Sequence, residues 1–389
     1  MKDSINIIIV FIFIIVFRSC NQGVHQDTLI INPENAIERE IWLSEFTDDI
    51  KYILLDKKVM FQHPNRIETT KELFVIKIYP GGILTFDREG NFIENIGREG
   101  RGPGEYLSGG YYSINQEDEL VYILDVLANK VITYNLLGEL VREFSIAEYE
   151  DTFWDIQYSN GKLYLAGVIN FGYSKYDWII IDTLGNLYSY KYNHVPRFES
   201  RSSSFGGMFV SDENLYYWNN FNDTIFHIQD SLYKPAMYFA QGDFRYPHRN
   251  ITSEDYRKYY STLSIIKTNG FLILSYLYQQ YFQSGVIRKN DGRLNIIDKT
   301  DSPFTFDLPG IPNDLDGGPA FPPYYYFQEN GEEFLIGWIH AFRLKSHVES
   351  KAFKNSTPKY PEKKKKLEEL AASLDENDNP VLMLVALKE

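Results

Sequence analysis

Cysteine is almost absent. One residue in 389, Cys20, leaves no disulfide framework and no cysteine-ligated zinc site. Positive charge is also short: 39 Lys and Arg against 53 Asp and Glu give a formal charge of -14. Phosphate binding needs clustered cations, so this balance argues against nucleic acid as a partner. The N-terminal apolar run, Ile5 to Phe17, is about 13 residues, short of the roughly 20 that span a bilayer. No Gly-x-Ser-x-Gly segment occurs, so the hydrolase nucleophile elbow is missing. What is plentiful is aromatic: 30 Tyr and 27 Phe, in a chain whose hydrophobic content of 44% is ordinary for a globular protein. Tyr and Phe suit pleated, half-buried surfaces, which points to an all-β fold.

The apolar run fits the core of a secretory signal, preceded by Lys2 and Asp3. It ends at Phe17-Arg18-Ser19-Cys20, which resembles a bacterial lipoprotein cleavage box. In such signals the cysteine is acylated and becomes the mature N-terminus. The chain's single cysteine sits where the box needs it; the alternative is a plain cleavable signal with a chance cysteine. Acyl chains are a sufficient anchor, at about 0.8 kcal/mol per buried methylene. Residues 21–26 carry no acidic side chain, so the expected address is the outer membrane, facing the periplasm. The expected organisation is a signal peptide over 1–19, a tether over 20–34 and one domain over 35–389.

A short pattern recurs along that domain: an apolar strand, Asp or Asn, two residues, Gly, and a second strand. It reads Leu84-Thr85-Phe86-Asp87-Arg88-Glu89-Gly90, then Ile132-Thr133-Tyr134-Asn135-Leu136-Leu137-Gly138, then Ile179-Ile180-Ile181-Asp182-Thr183-Leu184-Gly185. The residue before the Asp or Asn falls at 86, 134 and 181, steps of 48 and 47. A degenerate copy follows at Ile225–Asp230 and a fifth at Val286–Leu294. Each copy reads as a hairpin with glycine in the turn. A second hairpin type lies between copies, with Asn160-Gly161 and Asn330-Gly331 as turns. Two hairpins per repeat make four strands, and four-stranded units at a period of 40–50 residues are propeller blades. Five copies, plus one blade shared by the two termini, predict a six-bladed β-propeller. The expected terminal strands are Glu40–Leu43, Lys51–Leu55 and Val381–Leu387, the last closing the ring. Two helices interrupt the pattern: a short one near 252–260, and a longer one near 361–374 that starts at Pro361. Its Lys363–Lys366 run reads as a solvated face.

The segment Ile96-Gly97-Arg98-Glu99-Gly100-Arg101-Gly102-Pro103-Gly104-Glu105-Tyr106, with Tyr122–Asp125, Asn129–Val131 and Tyr134–Gly138, resembles NHL-type propeller repeats. With the lipoprotein-like signal and the Asn379-Pro380 ahead of the last strand, the chain resembles the six-bladed β-propeller lipoproteins of Gram-negative anaerobes. The resemblance implies the six-bladed fold and carries no catalytic residues.

The glycine-rich segment lacks the following helix and Lys-Ser or Lys-Thr of a phosphate loop. It reads as a crossover between blades, with Tyr106 packed between them, and Arg98, Arg101 and Glu105 are its candidate binding residues. The seven histidines show no ligand spacing, and the acidic loops at 313–318 and 375–379 read as turns. No metal, cofactor or catalytic residue is therefore assigned. The starts of the innermost strands are expected at Tyr111-Tyr112, Phe153-Trp154 and Tyr324–Tyr326. Tyr111, Trp154 and Tyr324 are the aromatic binding candidates, able to stack on a glycan or anchor a protein partner. The expected function is a lipid-anchored, non-catalytic binding or scaffold propeller of the cell envelope. The alternatives are an envelope enzyme with an axial site, a lyase or glycan-active hydrolase, or a sensory partner of a membrane regulator.

Overall fold

Turn chemistry builds each blade from the bottom up. Asp87 Oδ1 accepts the backbone N–H groups of Glu89 and Asn91. Asn135 Oδ1 does the same for Leu137 and Glu139, and Asp182 Oδ1 for Leu184 and Asn186. The side chain thus satisfies turn donors that the strand ladder cannot reach. Glycine follows for a reason beyond its positive φ. A Cβ on Gly138, at φ 77°, would strike the Asn95 carbonyl of the preceding blade, and one on Gly185 would strike the Phe144 ring. The sequence repeat therefore marks where each blade's outer turn meets its neighbour's outermost strand.

The computed structural model describes residues 29–167, 173–199, 205–301 and 309–388. Cys20 and the expected signal peptide lie outside the described residues. Six four-stranded antiparallel sheets are arranged as a ring, as the repeat predicts. Blade 1 comprises His63–Thr69, Leu73–Tyr79, Ile83–Asp87 and Phe92–Ile96. Blade 2 runs from Tyr111–Asn115 to Leu140–Ser145, blade 3 from Phe153–Ser159 to Leu187–Tyr192. Blade 4 runs from Gly206–Ser211 to Leu232–Phe239, and blade 5 from Ser261–Lys267 to Leu294–Thr300. Blade 6 takes Tyr325–Glu329, Glu332–Ile339 and Val381–Ala386 from the C-terminal part and Lys51–Ile53 from the N-terminal part. Leu382 pairs with Ile53 and Leu384 with Lys51, which closes the ring. The apolar cores lie between blades: Val75, Ile83 and Ile96 of blade 1 pack on Tyr112, Val121 and Ile132 of blade 2.

Three elements differ from the sequence expectation. Glu40–Leu43 is not a strand. Leu43–Glu45 is a 3-10 turn, because Glu45 Oε1 accepts the Trp42 N–H at 3.0 Å and the Leu43 N–H donates to the Pro312 carbonyl, leaving no ladder partner. Leu29–Ile31, within the span expected as tether, pairs in parallel with the outermost strand of blade 4, and Ile37–Glu38 does so on blade 5. The helix near 252–260 is a single turn, Ser253–Tyr256, capped by the Thr252 hydroxyl. The longer helix is Pro361–Ser373, with proline in its first turn as expected. It belongs to an insert, with Ala341–Glu349 and Lys351–Asn355, that joins the second and third strands of blade 6.

Candidate functional site

The first strands of the six blades surround the axis, and a cavity of about 920 Å³ lies between them. Its wall carries Tyr111, Tyr324, Tyr325 and Tyr326 with Phe209 and Phe327, interspersed with Asn65, Gln116 and Gln157. Tyr111 and Tyr324 thus stand where the sequence predicts an axial lining. Trp154 lies just behind: its indole meets the Tyr111 ring edge-on at 6.2 Å, and its Nε1 is buried without a hydrogen-bond partner.

Deep in this cavity is a charged cluster that the sequence reading missed. Arg66 donates through Nε and Nη2 to Glu68 Oε1, at 3.0 and 2.8 Å, and through Nη1 to Asp155 Oδ1 at 2.9 Å. Glu68 Oε2 accepts the Ile114 N–H of blade 2, and Asp155 Oδ2 accepts the Met208 N–H of blade 4. One guanidinium and two carboxylates therefore connect the inner strands of four consecutive blades. The guanidinium also lies 5.5 Å from the centre of the Tyr112 ring, whose hydroxyl donates to the Val75 carbonyl at 2.6 Å. Burial raises the Glu68 pKa in spite of Arg66. Burial opposes the charge on Arg66, yet Glu68 and Asp155 hold its pKa above the ordinary value. The Tyr111 hydroxyl is pushed up to about 12, by burial first and by Asp155 second. The Tyr111 phenol therefore stays protonated at neutral pH. A faint signal existed: Arg66 and Glu68 stand two apart on one strand face, and Asp155 interrupts an apolar strand.

The glycine-rich candidates lie elsewhere, at the seam between blades 1 and 2. Arg98 and Glu105 line a separate open hollow there with Gly97 and Gly104, and Arg101 is exposed outside it. Glu105 is engaged within its own loop, accepting from Gly102 N–H at 2.7 Å and from Arg98 Nε. The Gly102 bond, ahead of Arg98, lowers its pKa. Tyr106 is fully buried; its hydroxyl accepts the Ile83 N–H and donates to the Ile96 carbonyl, tying the crossover to blade 1. The axial aromatics and the crossover residues do not form one site. Among the described residues, no three His, Cys, Asp or Glu side chains are grouped as metal ligands.

The family model described as a domain of unknown function, DUF4934, matches residues 28–386. The chain belongs to the DUF4934 family. No curated protein matches this DUF4934 chain. Its fold is similar to that of a protein from Bacteroides fragilis described as exported, with TM-score 0.65 and 16% identity over 92% of this chain and 100% of that one. A DUF4221-family protein from Bacteroides vulgatus gives TM-score 0.51 and 10% identity over 88% of this chain and 97% of the other. Both likenesses concern the fold. Among the described residues of this DUF4934 chain, no helix is long and apolar enough to cross a membrane.

Proposed function

We propose that the protein is a lipid-anchored, non-catalytic binding propeller of the cell envelope, of the NHL-like lipoprotein kind, held at the outer membrane through Cys20. The observation that carries the binding half is the axial cavity. It has the size of a small-ligand site and aromatic walls with a few polar groups, as such sites do. Of the ionic groups that line it, Arg66 and Glu68, with Asp155 behind them, spend their polar atoms on one another and on strand N–H groups, while Asp212 and Glu213 lie exposed at its edge. A general acid or base must be free to exchange a proton with substrate, and these carboxylates hold the ring instead. The exported Bacteroides relative supports an envelope address.

The test is a panel of soluble glycans and envelope peptides titrated onto the purified mature chain by calorimetry. A Tyr325→Ala or Tyr111→Ala variant should weaken a bound member at least tenfold without lowering the melting temperature by more than a few degrees. Turnover of a panel member would overturn the non-catalytic reading, and a ligand unaffected by both variants would overturn the axial cavity as the binding site. Cys20→Ala should leave an unacylated chain that washes off membranes in carbonate; a variant that stays membrane-bound at the mature mass would overturn the anchor.

A further inference from the structure

The axial cavity carries an excess of negative charge. Three carboxylates, Glu68, Asp212 and Glu213, line it against one cation, Arg66. Asp155, just behind, shares the same guanidinium. Glu68 accepts two N–H groups of Arg66 and the N–H of Ile114. Asp155 accepts Arg66 Nη1 and the N–H groups of Ile156 and Met208. Burial works against the charge on Glu68, but in each of these contacts the carboxylate oxygen accepts, which leaves no partner for an O–H of its own. One guanidinium between two carboxylates therefore leaves a negative charge uncompensated at the cavity floor. The neighbouring Lys267 does not offset it. Its Nζ donates to Ser211 Oγ at 3.3 Å and lies 5.2 Å from the centre of the Tyr216 ring, outside the lining. At the edge, Asp212 and Glu213 form the turn between the first two strands of blade 4, both at positive φ, 50° and 57°. Blades 3 and 6 make the same turn with Asn160-Gly161 and Asn330-Gly331, the residue pair that suits it, so blade 4 keeps two carboxylates where glycine is favoured.

We propose that the ligand of the axial cavity carries an organic cation, an alkylammonium or guanidinium group, held between the aromatic wall and the excess carboxylate charge. The inference rests on the reading of this cavity as the binding site and names its ligand class. A cleft lined by one sign of charge concentrates the opposite sign, and this cleft repels anions because its one guanidinium is already spent. The wall rings, Tyr111, Tyr324, Tyr325 and Phe209 among them, add the attraction of an aromatic face for a large, weakly hydrated cation. A bare metal ion is a poorer match. The oxygens of Glu68 and Asp155 are engaged, and among the described residues no three acidic, His or Cys side chains are grouped as ligands. The chain holds one of its own cations by the same chemistry. Lys191 Nζ pairs with Asp177 and lies 5.0–5.7 Å from the ring centres of Phe226, Trp178 and Tyr233.

The test titrates matched pairs onto the purified mature chain by calorimetry at low ionic strength: choline against its uncharged carbon isostere dimethylbutanol, and cadaverine against pentanol, with acetate as the anion. Each cation should bind at least tenfold tighter than its isostere, and the ratio should shrink as salt is raised. Asp212→Asn combined with Glu213→Gly gives blade 4 the turn chemistry of blades 3 and 6, so this variant keeps the fold. It should weaken both cations at least threefold and leave the isosteres unchanged. Glu68→Gln removes the excess charge at the floor and should weaken the cations at least tenfold; where its melting curve shows a loss of fold, the turn variant decides. A blocked lysine tripeptide run beside cadaverine distinguishes a peptide side chain from a free amine as the source of the cation, and tighter binding of either meets the expectation. Equal affinity for cations and isosteres, a preference for acetate, or no cation bound up to about 10 mM overturns the proposal. The Tyr111→Ala and Tyr325→Ala variants separate the two readings. A neutral glycan lost in them, with no cation bound by the wild type, sinks the charge inference and leaves the cavity as the site; a cation bound at full affinity by both variants shows that the cavity reading itself has failed.

Discussion

At the scale of residues, Asp182 shows why the repeat reads as it does. Its carboxylate fastens the turn through the Leu184 and Asn186 N–H groups, and its other oxygen accepts from the Asn186 amide at 2.7 Å. Asn135 does the same work in blade 2, so the position needs an acceptor and not a charge. Asp182→Asn should change the urea-unfolding free energy by less than about 0.5 kcal/mol, whereas Asp182→Ala should lose about 1–2 kcal/mol. The pH dependence has a definite sign. Slight burial raises the Asp182 pKa, but the hydrogen bonds from Asn186 and the turn outweigh it, and the net value lies below 3.8. The stabilisation due to charge is thus present above that unfolded value and is lost as pH falls through the lower folded one. The difference between wild type and Asp182→Ala should shrink below about pH 3.8, as measured by unfolding at a series of pH values. Glycine gives a sharper contrast. Gly161 and Gly138 have φ of 73° and 77°, but only Gly138 faces a neighbouring blade. Gly161→Ala should cost about 1 kcal/mol of left-handed strain; Gly138→Ala adds a collision with a backbone carbonyl and should cost more than about 2 kcal/mol.

At the scale of elements, hairpins were legible and long-range pairings were not. Asp-x-x-Gly and Asn-Gly turns carry their geometry in adjacent residues, so the copies at 84–92, 132–140, 179–187 and 286–294 all fold as hairpins. Leu29–Ile31 and Ile37–Glu38 have no such local signature. They become strands because the outermost strands of blades 4 and 5 offer open edges, and parallel pairing to a distant strand leaves no trace in periodicity. Glu40–Leu43 has the opposite fate: alternating burial without an edge to join. The Asn379-Pro380 pair shows a motif whose meaning emerges only in three dimensions. The Asn379 side chain is buried; its Oδ1 accepts the Phe61 N–H, and its Nδ2 donates to the Asp56 and Val59 carbonyls, each at 2.8–2.9 Å. It thereby clamps the link between the last strand of blade 6 and the first of blade 1, the joint where the ring begins and ends. Asn379→Ala orphans three backbone groups at once. A loss of about 2–4 kcal/mol in urea unfolding is expected, with an unchanged m-value if the ring remains closed.

At the scale of the whole molecule, the ring is held at two radii. Near the axis, Arg66, Glu68 and Asp155 connect blades 1 to 4; no reading of one strand at a time could assemble them, since their partners come from different repeats. At the rim, Val381–Ala386 joins Glu332–Ile339 to Lys51–Ile53, segments from opposite ends of the chain. The two closures predict different failures. Arg66→Leu leaves two largely buried carboxylates without a counter-charge, which costs about 3–5 kcal/mol, but the strand order of the ring is untouched. That variant should fold, with a lower urea midpoint and near-native far-ultraviolet dichroism. Removal of residues 380–389 acts on topology instead. Among the described residues Lys51–Ile53 loses its one ladder partner, Glu332–Ile339 becomes an open edge, and the buried faces of Val381, Leu382, Met383 and Val385 are lost. At about 1.5–3 kcal/mol for each buried aliphatic side chain, these four alone represent about 6–12 kcal/mol, as large as the net stability of an ordinary domain. Two exposed edges in a chain that can no longer close also template intermolecular pairing. The truncated chain should therefore aggregate or be degraded where Arg66→Leu remains soluble. Size-exclusion chromatography and limited proteolysis of the two variants side by side would decide it; a soluble, monomeric truncation melting at the wild-type temperature would show that the rim strand does not close the ring.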